Sequence, residues 1–356
     1  MNNLLAEAQG NGPGDVVDAV HASMLRFFPE LVEELGGQPG LLLQKTGIEP
    51  GHIAGNTLAA SYRQTIQLME IAAVELNCPD FGMRLARRQG GCDIYGPLGP
   101  VMKNSRTFGE ALNYVVTHNF AHSLSARIWL RPCRQEKTVF SGHDILLDRI
   151  SNKTQAIEQI LLIGSLGAME ITSGYVRARK VHFRHQPLSP SEVYRRYFGC
   201  EVLFGQNEDG VVFSEQDMAC PITNPDPTTY QAATSFIDTE FTQQSPPLSV
   251  QVRGWVIQCL GTGHCTNEEV AAKLNMHSRT LHRRLAAEGT SFQQIKDEVR
   301  RDAMLYYVQH TNLEFSSISE RLGFAEPSVL TRRCNLWFSA SPTKLRLQSR
   351  SIMPIG

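Results

Sequence analysis

The feature that most constrains this chain is a pattern of two short helices around a tight turn, which occurs twice near its C-terminus. The first copy spans residues 266–288 and the second spans residues 316–338; we call them the first motif and the second motif. A helical segment with an apolar stripe, Phe292 to Gln309, lies between them. A helix–turn–helix presents its second helix outward, so the repeat predicts two exposed helices of one kind, joined by a spacer about 27 Å long.

The first motif has a clear start and a clear inner face. Thr266 followed by Glu269 is the pattern of a capping box, in which two side chains bond the free backbone groups at a helix start. In the second helix, which opens near Ser278, Leu281 and Leu285 have the spacing of buried positions. The pattern therefore predicts a complete helix–turn–helix.

The outer face of that second helix is basic. Arg279, His282 and Arg283 lie about one turn apart on one face, and Arg284 lies at its side. Arg is the side chain that most often reads guanine in the major groove, whereas a basic side chain beside the groove contacts phosphate. A solvated surface helix is the alternative interpretation, but the capped helix before it and the second copy favour nucleic-acid binding.

Charge is distributed unevenly along the chain. Residues 266–350 hold 13 Lys and Arg against 9 Asp and Glu. The whole chain has 34 Lys and Arg and 35 Asp and Glu, so the remaining residues hold 21 basic against 26 acidic side chains. A basic C-terminal part on an acidic body is typical of a polyanion-binding domain attached to a separate domain.

The N-terminal part has mixed character. Helical spacing is found at 16–35, 57–76, 108–120 and 155–171, and strand-like runs are found at 125–130, 138–141, 176–183, 200–204 and 210–213. Pro246 and Pro247 mark a semi-rigid linker. We therefore predict a multidomain chain, an α+β domain followed by an all-α domain, with these segments: a disordered tail at 1–14, the α+β domain at 15–241, the linker at 242–249, the all-α domain at 250–346 and a tail at 347–356.

Other groups of reactive side chains have simpler explanations. The eight cysteines include no CxxC pair, and their scatter indicates reduced cytosolic thiols. The pairs His118/His122 and His182/His185 lack a third ligand for a metal. Cys259, His264 and Cys265 could form a metal or redox site, but two buried thiols beside a helix cap are the simpler explanation. Tyr95 to Pro100 lacks the spacing of a phosphate loop. We expect no enzyme activity, no metal and no cofactor, and the start of the chain lacks a signal-peptide pattern.

The combined motifs closely resemble the AraC/XylS-type transcription regulators. The resemblance is carried by residues 274–292, 297–307, 318–328 and 337–342, and it covers about residues 250–346. It implies that the second helices of both motifs enter adjacent major grooves of promoter DNA. It also implies a homodimer, contact with RNA polymerase and a small-molecule effector. Because the cysteines are scattered and no apolar stretch is long enough to span a bilayer, we expect a cytoplasmic protein with no membrane partner.

Site residues carried over from this resemblance belong to both motifs. They are Ser278, Arg279, His282, Arg283 and Arg284 in the first, and Pro327, Ser328, Thr331, Arg332 and Arg333 in the second. The second motif departs from the family pattern at Ser319, Arg333, Cys334, Leu336 and Ser339, where the family usually has Ala, a small residue, an aromatic, a basic residue and Gly. Because Pro327 donates no hydrogen bond, we expect the first motif to discriminate bases and the second to hold phosphates through Arg332 and Arg333.

The N-terminal part resembles the arabinose-binding-type domain of ornithine- and virulence-regulator relatives. The segments Tyr95 to Tyr114 and Tyr197 to Gln206 carry this second resemblance. It implies effector sensing, dimerisation or both. Two alternatives stay open: a DNA-binding domain attached to a metal-sensing, redox-sensing or enzymatic domain, and a regulator that has no small ligand.

Overall fold

The computed structural model describes residues 18–49, 51, 60–150, 152–241, 247–262 and 264–352. The chain divides into two compact units: residues 1–147 with 153–246, and residues 148–152 with 247–356. The predicted tail at 1–14 and most of the predicted linker at 242–249 lie outside the described residues.

The first unit combines helices with one five-stranded sheet. Its helices are α1 (Phe28–Glu34), α2 (Pro39–Thr46), α3 (Tyr62–Glu75), α4 (Phe81–Gln89), α5 (Leu98–Asn104), α6 (Phe108–His118), α7 (Thr154–Ile171), α8 (Ser191–Phe198) and α9 (Pro227–Phe241). Short 3-10 helices lie at Ala22–Leu25, Cys92–Tyr95, Asn119–Ala121 and Gln216–Ala219.

The strands are β1 (Ala126–Cys133), β2 (Thr138–Ile145), β3 (Lys180–His182), β4 (Glu201–Leu203) and β5 (Gly210–Ser214). Their order is β1-β2-β5-β3-β4, and only β3 with β4 is parallel. This mixture confirms the predicted α+β class.

Helix α7 forms the centre of the first unit. It is buried along most of its length, as its apolar sequence predicts. Gly82 in α4 donates its backbone N–H to Gln155 Oε1 at 2.7 Å, and a Cβ at Gly82 would lie 2.1 Å from the Gln155 carbonyl oxygen. Only glycine permits α4 to approach α7 this closely.

Two predicted elements differ from the structure. The single helix predicted over residues 16–35 is wrong, because Val20 pairs with Ala60 and Ser123 in β-bridges and Phe27 has a left-handed backbone with φ 64°. The strand predicted over residues 176–183 is confined to β3. In both cases long-range packing overrides the local apolar spacing.

The regular elements among the described residues of the second unit are all helices. They are α10 (Leu248–Cys259), α11 (Asn267–Lys273), α12 (Ser278–Ala287), α13 (Phe292–His310), α14 (Phe315–Arg321), α15 (Pro327–Phe338) and α16 (Pro342–Ile352). Helix α13 is the predicted spacer, and α16 continues past the predicted domain end at 346. Ile295 and Val299 of α13 belong to the core around the first motif, and Met304 and Val308 belong to the core around the second.

Candidate nucleic-acid interface

The first motif is built by a capped helix and a tight turn. The Glu269 backbone N–H donates to Thr266 Oγ1 at 3.2 Å, and the Thr266 N–H donates to Glu269 Oε2 at 3.1 Å, which confirms the predicted capping box. In the turn, Asn275 is left-handed with φ 52°, and the Met276 N–H donates to the Ala271 carbonyl at 3.0 Å. These bonds fix the direction in which α12 leaves the turn.

Helix α12 is capped by a residue that the sequence analysis did not select. His277 Nδ1 accepts a hydrogen bond from the Arg279 backbone N–H at 3.2 Å. Leu281 and Leu285 are fully buried, as predicted. The signal for His277 is its position directly before Ser278, at the usual place of a helix cap.

The predicted DNA-binding side chains of the first motif point outward. Arg279, His282, Arg283 and Arg284 are exposed, and Ser278 is half-buried at the helix start. Among the described residues, none of the three arginines has an ion-pair partner. Long cations without a partner on a rigid helix are available to bind an anion or a base edge.

The second motif repeats the geometry of the first. Gly323 takes the place of Asn275 with φ 64°, and the Phe324 N–H donates to the Ser319 carbonyl at 3.0 Å. The buried Ser319 hydroxyl also donates to the Glu326 carbonyl at 3.2 Å. Serine at this position, where the family usually has alanine, therefore adds a bond across the turn.

Four of the five predicted positions of the second motif lie on the exposed surface of α15. Pro327, Ser328, Thr331 and Arg332 are exposed, and the Ser328 hydroxyl donates to Glu326 Oε2 at 3.1 Å. Proline fits the first turn of a helix, where a backbone N–H would have no partner.

Arg333 contacts the spacer helix. Its Nη1 atom lies 3.8 Å from Asp297 Oδ2 of α13, and its guanidinium lies 5.7 Å from the Trp337 ring centre. The side chain is half-buried. Arg333 thus connects the second motif to the spacer helix, because it is rotated about 100° along the helix from Arg332.

Two exposed residues of α15 were not among the predicted site residues. Asn335 lies one turn beyond Thr331, and Leu336, one turn beyond Arg332, is 69% exposed. An amide can pair with both edge atoms of adenine, and an apolar side chain can contact the thymine methyl group. Extending the i, i+4 spacing from Thr331 and Arg332 would have found both.

One face of the spacer helix holds both motifs through backbone carbonyls. Lys296 Nζ donates to the Cys265 carbonyl at 2.5 Å, next to the start of the first motif. One turn later, Arg300 donates to the carbonyls of Leu322 at 3.0 Å and Gly323 at 2.8 Å. Its guanidinium also lies 4.8 Å from the Phe324 ring centre. We call Lys296 and Arg300 the spacer clamp.

The thiols beside the first motif face inward. Cys265 is buried. The interaction of the Cys259 thiol with the Cys265 thiol, together with burial, raises the pKa of Cys259. His264 is exposed and lies 3.1 Å from Glu269, within the helix cap. In the second motif, burial raises the pKa of Cys334 to about 11.

The histidine pairs of the first unit are separated by the fold. His118 stacks on Tyr114, whereas His122 is buried beside Tyr95. Likewise His185 is buried, 3.5 Å from Glu158, while His182 lies against Phe140. No cluster of three metal-binding side chains is found among the residues that the structure describes.

Comparison with known proteins identifies both units. The family profile described as the arabinose-binding domain of AraC transcription regulators matches residues 36–222, and a helix-turn-helix domain profile matches residues 270–348. The chain belongs to the AraC family of transcription regulators. Its relatives include the HTH-type transcriptional regulator VirS of Mycobacterium tuberculosis, with 31% identity over 92% of this chain and 96% of VirS. Another is the ornithine utilization regulator of Pseudomonas aeruginosa, with 22% identity over 94% and 98%.

This AraC-family regulator is thus a DNA-binding helix-turn-helix protein with an N-terminal α+β domain. None of its described helices is both long and apolar enough to cross a membrane.

Proposed function

We propose that each subunit inserts α12 and α15 into successive major grooves of promoter DNA. The observation that carries this proposal is the basic face of α12, where Arg279, His282 and Arg283 project from a capped and buried scaffold. Arg284 and the N-terminal end of α12 around Ser278 would contact the phosphates that flank the bases.

The second motif would contribute both grip and base reading. Arg332, exposed and without an ion-pair partner among the described residues, would hold a phosphate, and Pro327, Ser328 and Thr331 would pack along the groove. Asn335 would read a base, a role that the departures from the family pattern did not suggest. Arg333 would act indirectly, by fixing α15 against α13.

The first unit would control this activity. We propose that it binds a small-molecule effector and forms a homodimer, and that the DNA-bound dimer contacts RNA polymerase. The domains would lie at 15–241 and 250–346, and the protein would act in the cytoplasm without a catalytic step.

A genomic binding map made with purified full-length protein tests the proposal. Wild-type protein should select one family of sites, and Arg279→Ala together with Arg283→Ala should abolish that selection. Glu268→Ala, an exposed change on α11 outside the proposed interface, is the control and should leave it intact. A wild-type map without sequence preference would refute the proposal.

A further inference from the structure

The first unit contains a cavity between its sheet and its helices. Its free volume is about 50 Å³, and it is partly open to solvent. Ile128, Ser141, His143 and Phe213 line it from the strands, and residues of α5, α6 and α7 line it from the other side. The cavity therefore lies where the two layers of the α+β unit meet.

The wall of this cavity is almost entirely apolar. Its described lining contains no Lys, Arg, Asp or Glu, and the side chains that carry a polar group are Tyr95, Ser141 and His143. A charged ligand would be buried there without a counter-ion, which is strongly unfavourable. The lining thus selects for an uncharged molecule.

His143, one of the lining residues, has a hydrogen-bonding atom without a partner among the described residues. Its side chain is 4% exposed, and its Nε2 atom is buried with no hydrogen-bond partner among the described residues. Burial lowers the pKa of His143 to about 4, so the ring is neutral near pH 7. A buried polar atom without a partner is costly, and a ligand that supplies the partner removes that cost.

We propose that this cavity binds an uncharged, mainly apolar small molecule that has one hydrogen-bonding group, and that this group pairs with His143. This inference rests on the proposed effector control. It departs from the sugar in the name of the matching domain, because a pentose carries several hydroxyls and the wall offers too few partners for them.

Phenol is a suitable probe, since its hydroxyl both donates and accepts and therefore suits either form of the neutral ring. Toluene has the same shape without the hydroxyl, and L-arabinose represents the sugar. Titration calorimetry on the full chain should show phenol binding at least about 5-fold more tightly than toluene, a factor that corresponds to one net hydrogen bond. In His143→Leu this preference should disappear.

Gly164 offers a way to fill the cavity. It lines the wall from α7, and an added Cβ would lie 3.5 Å from the Tyr95 hydroxyl, an ordinary contact. Gly164→Val should weaken phenol binding at least about 10-fold. Gly40→Val makes the same change in helix α2, where an added Cβ has nothing within 4 Å, and should leave phenol binding unchanged.

The inference is overturned if wild type does not bind phenol, if Gly164→Val binds it as wild type does, or if L-arabinose competes with phenol at equal concentration. Sequence-specific DNA binding by the same preparations is measured in parallel. If DNA binding persists while phenol does not bind, only the ligand assignment is wrong. If sequence-specific DNA binding is absent, the proposed function is contradicted.

Discussion

Arg283 and Arg284 are neighbours in sequence, but they leave α12 about 100° apart. Both are exposed. Only Arg283 shares its face with Arg279 and His282, so we assign it to the bases and Arg284 to the backbone. This difference between adjacent arginines is the basis of a direct test of the interface.

Arg283→Ala should reduce affinity for the preferred site by about 1–3 kcal/mol and relax selection at one base pair. Arg284→Ala should instead weaken binding to all sequences about equally and lower the salt slope by about one. Fluorescence anisotropy on the preferred and a scrambled duplex at several salt concentrations separates the two effects. Equal relaxation of base preference by both changes would show that the faces are assigned wrongly.

The same comparison applies to α15. Asn335→Ala should relax selection at one base pair of the second half of the site, whereas Arg332→Ala should weaken all duplexes. If Arg332→Ala relaxed base preference more than Arg283→Ala did at its own position, the division of roles between the motifs would be reversed. Selection from a randomised duplex library gives both answers.

Glu70 of the first unit is an acidic residue with a raised pKa. It accepts a hydrogen bond from the Gln155 backbone N–H at 2.8 Å, and burial raises its pKa to about 7. As the pH rises above 4.5, Glu70 ionises in the unfolded chain, whereas in the folded protein it stays protonated until about pH 7. The free energy of unfolding therefore falls between pH 4.5 and pH 7 and stays lower above pH 7. Glu70→Gln keeps the acceptor, and its stability advantage over wild type should grow by about 3 kcal/mol as the pH rises from 4.5 to 7.5.

Urea unfolding at both pH values measures this difference. Glu75→Gln, in the same helix and on an exposed ion pair with Lys45, should change stability by less than about 0.5 kcal/mol. A Glu70→Gln advantage that did not grow with pH would show that the carboxyl group is ionised in the folded protein.

At the scale of elements, the spacer clamp connects the motifs. Arg300 has a side chain that is only 14% exposed, and it bonds two carbonyls at the turn after α14. Arg300→Met keeps the apolar stem but loses both bonds, so peptides from α14 should exchange amide hydrogens up to about 30-fold faster, equivalent to about 2 kcal/mol. Arg301→Met, whose ion pair is with the adjacent Asp302, is the control. Unchanged exchange in Arg300→Met would show that the clamp does not hold the motif.

Helices α12 and α15 are followed by different residue types in the same left-handed backbone conformation. Ser339 ends α15 with φ 52°, and Gly289 follows α12 with φ 73° and would have no atom within 4 Å of an added Cβ. Because left-handed backbone is costly for residues other than glycine, Ser339→Gly should stabilise the second unit by about 0.5 kcal/mol and Gly289→Ser should destabilise it by a similar or larger amount. Thermal unfolding of the full chain followed by circular dichroism compares them, and shifts of the same sign would contradict this explanation.

The elements differ in how much of them could be predicted from sequence. The capping box, α12, α13 and buried α7 follow from local periodicity and caps, so their prediction needed no tertiary information. The break at Phe27 and the shortness of β3 could not be found in this way, because they depend on partners far away in the chain. The contact of Arg333 also depends on Asp297 in another helix, which no local pattern shows.

For the whole molecule, the proposed dimer predicts sensitivity to the phase of the DNA helix. Two subunits bound to one face need their half-sites a whole number of turns apart. An insertion of about 5 base pairs between half-sites should reduce affinity at least about 10-fold, and an insertion of about 10 should restore much of it. A gel-shift series with full-length protein measures this, and affinities independent of the insertion would show that the subunits bind separately.

The spacer clamp grips carbonyl oxygens, which every amino acid provides. Lys296 and Arg300 therefore bond Cys265, Leu322 and Gly323 through backbone atoms. The outward residues of α12 and α15 can therefore change during evolution while the spacing between the two helices stays constant. A regulator built in this way can acquire new target promoters through surface substitutions alone.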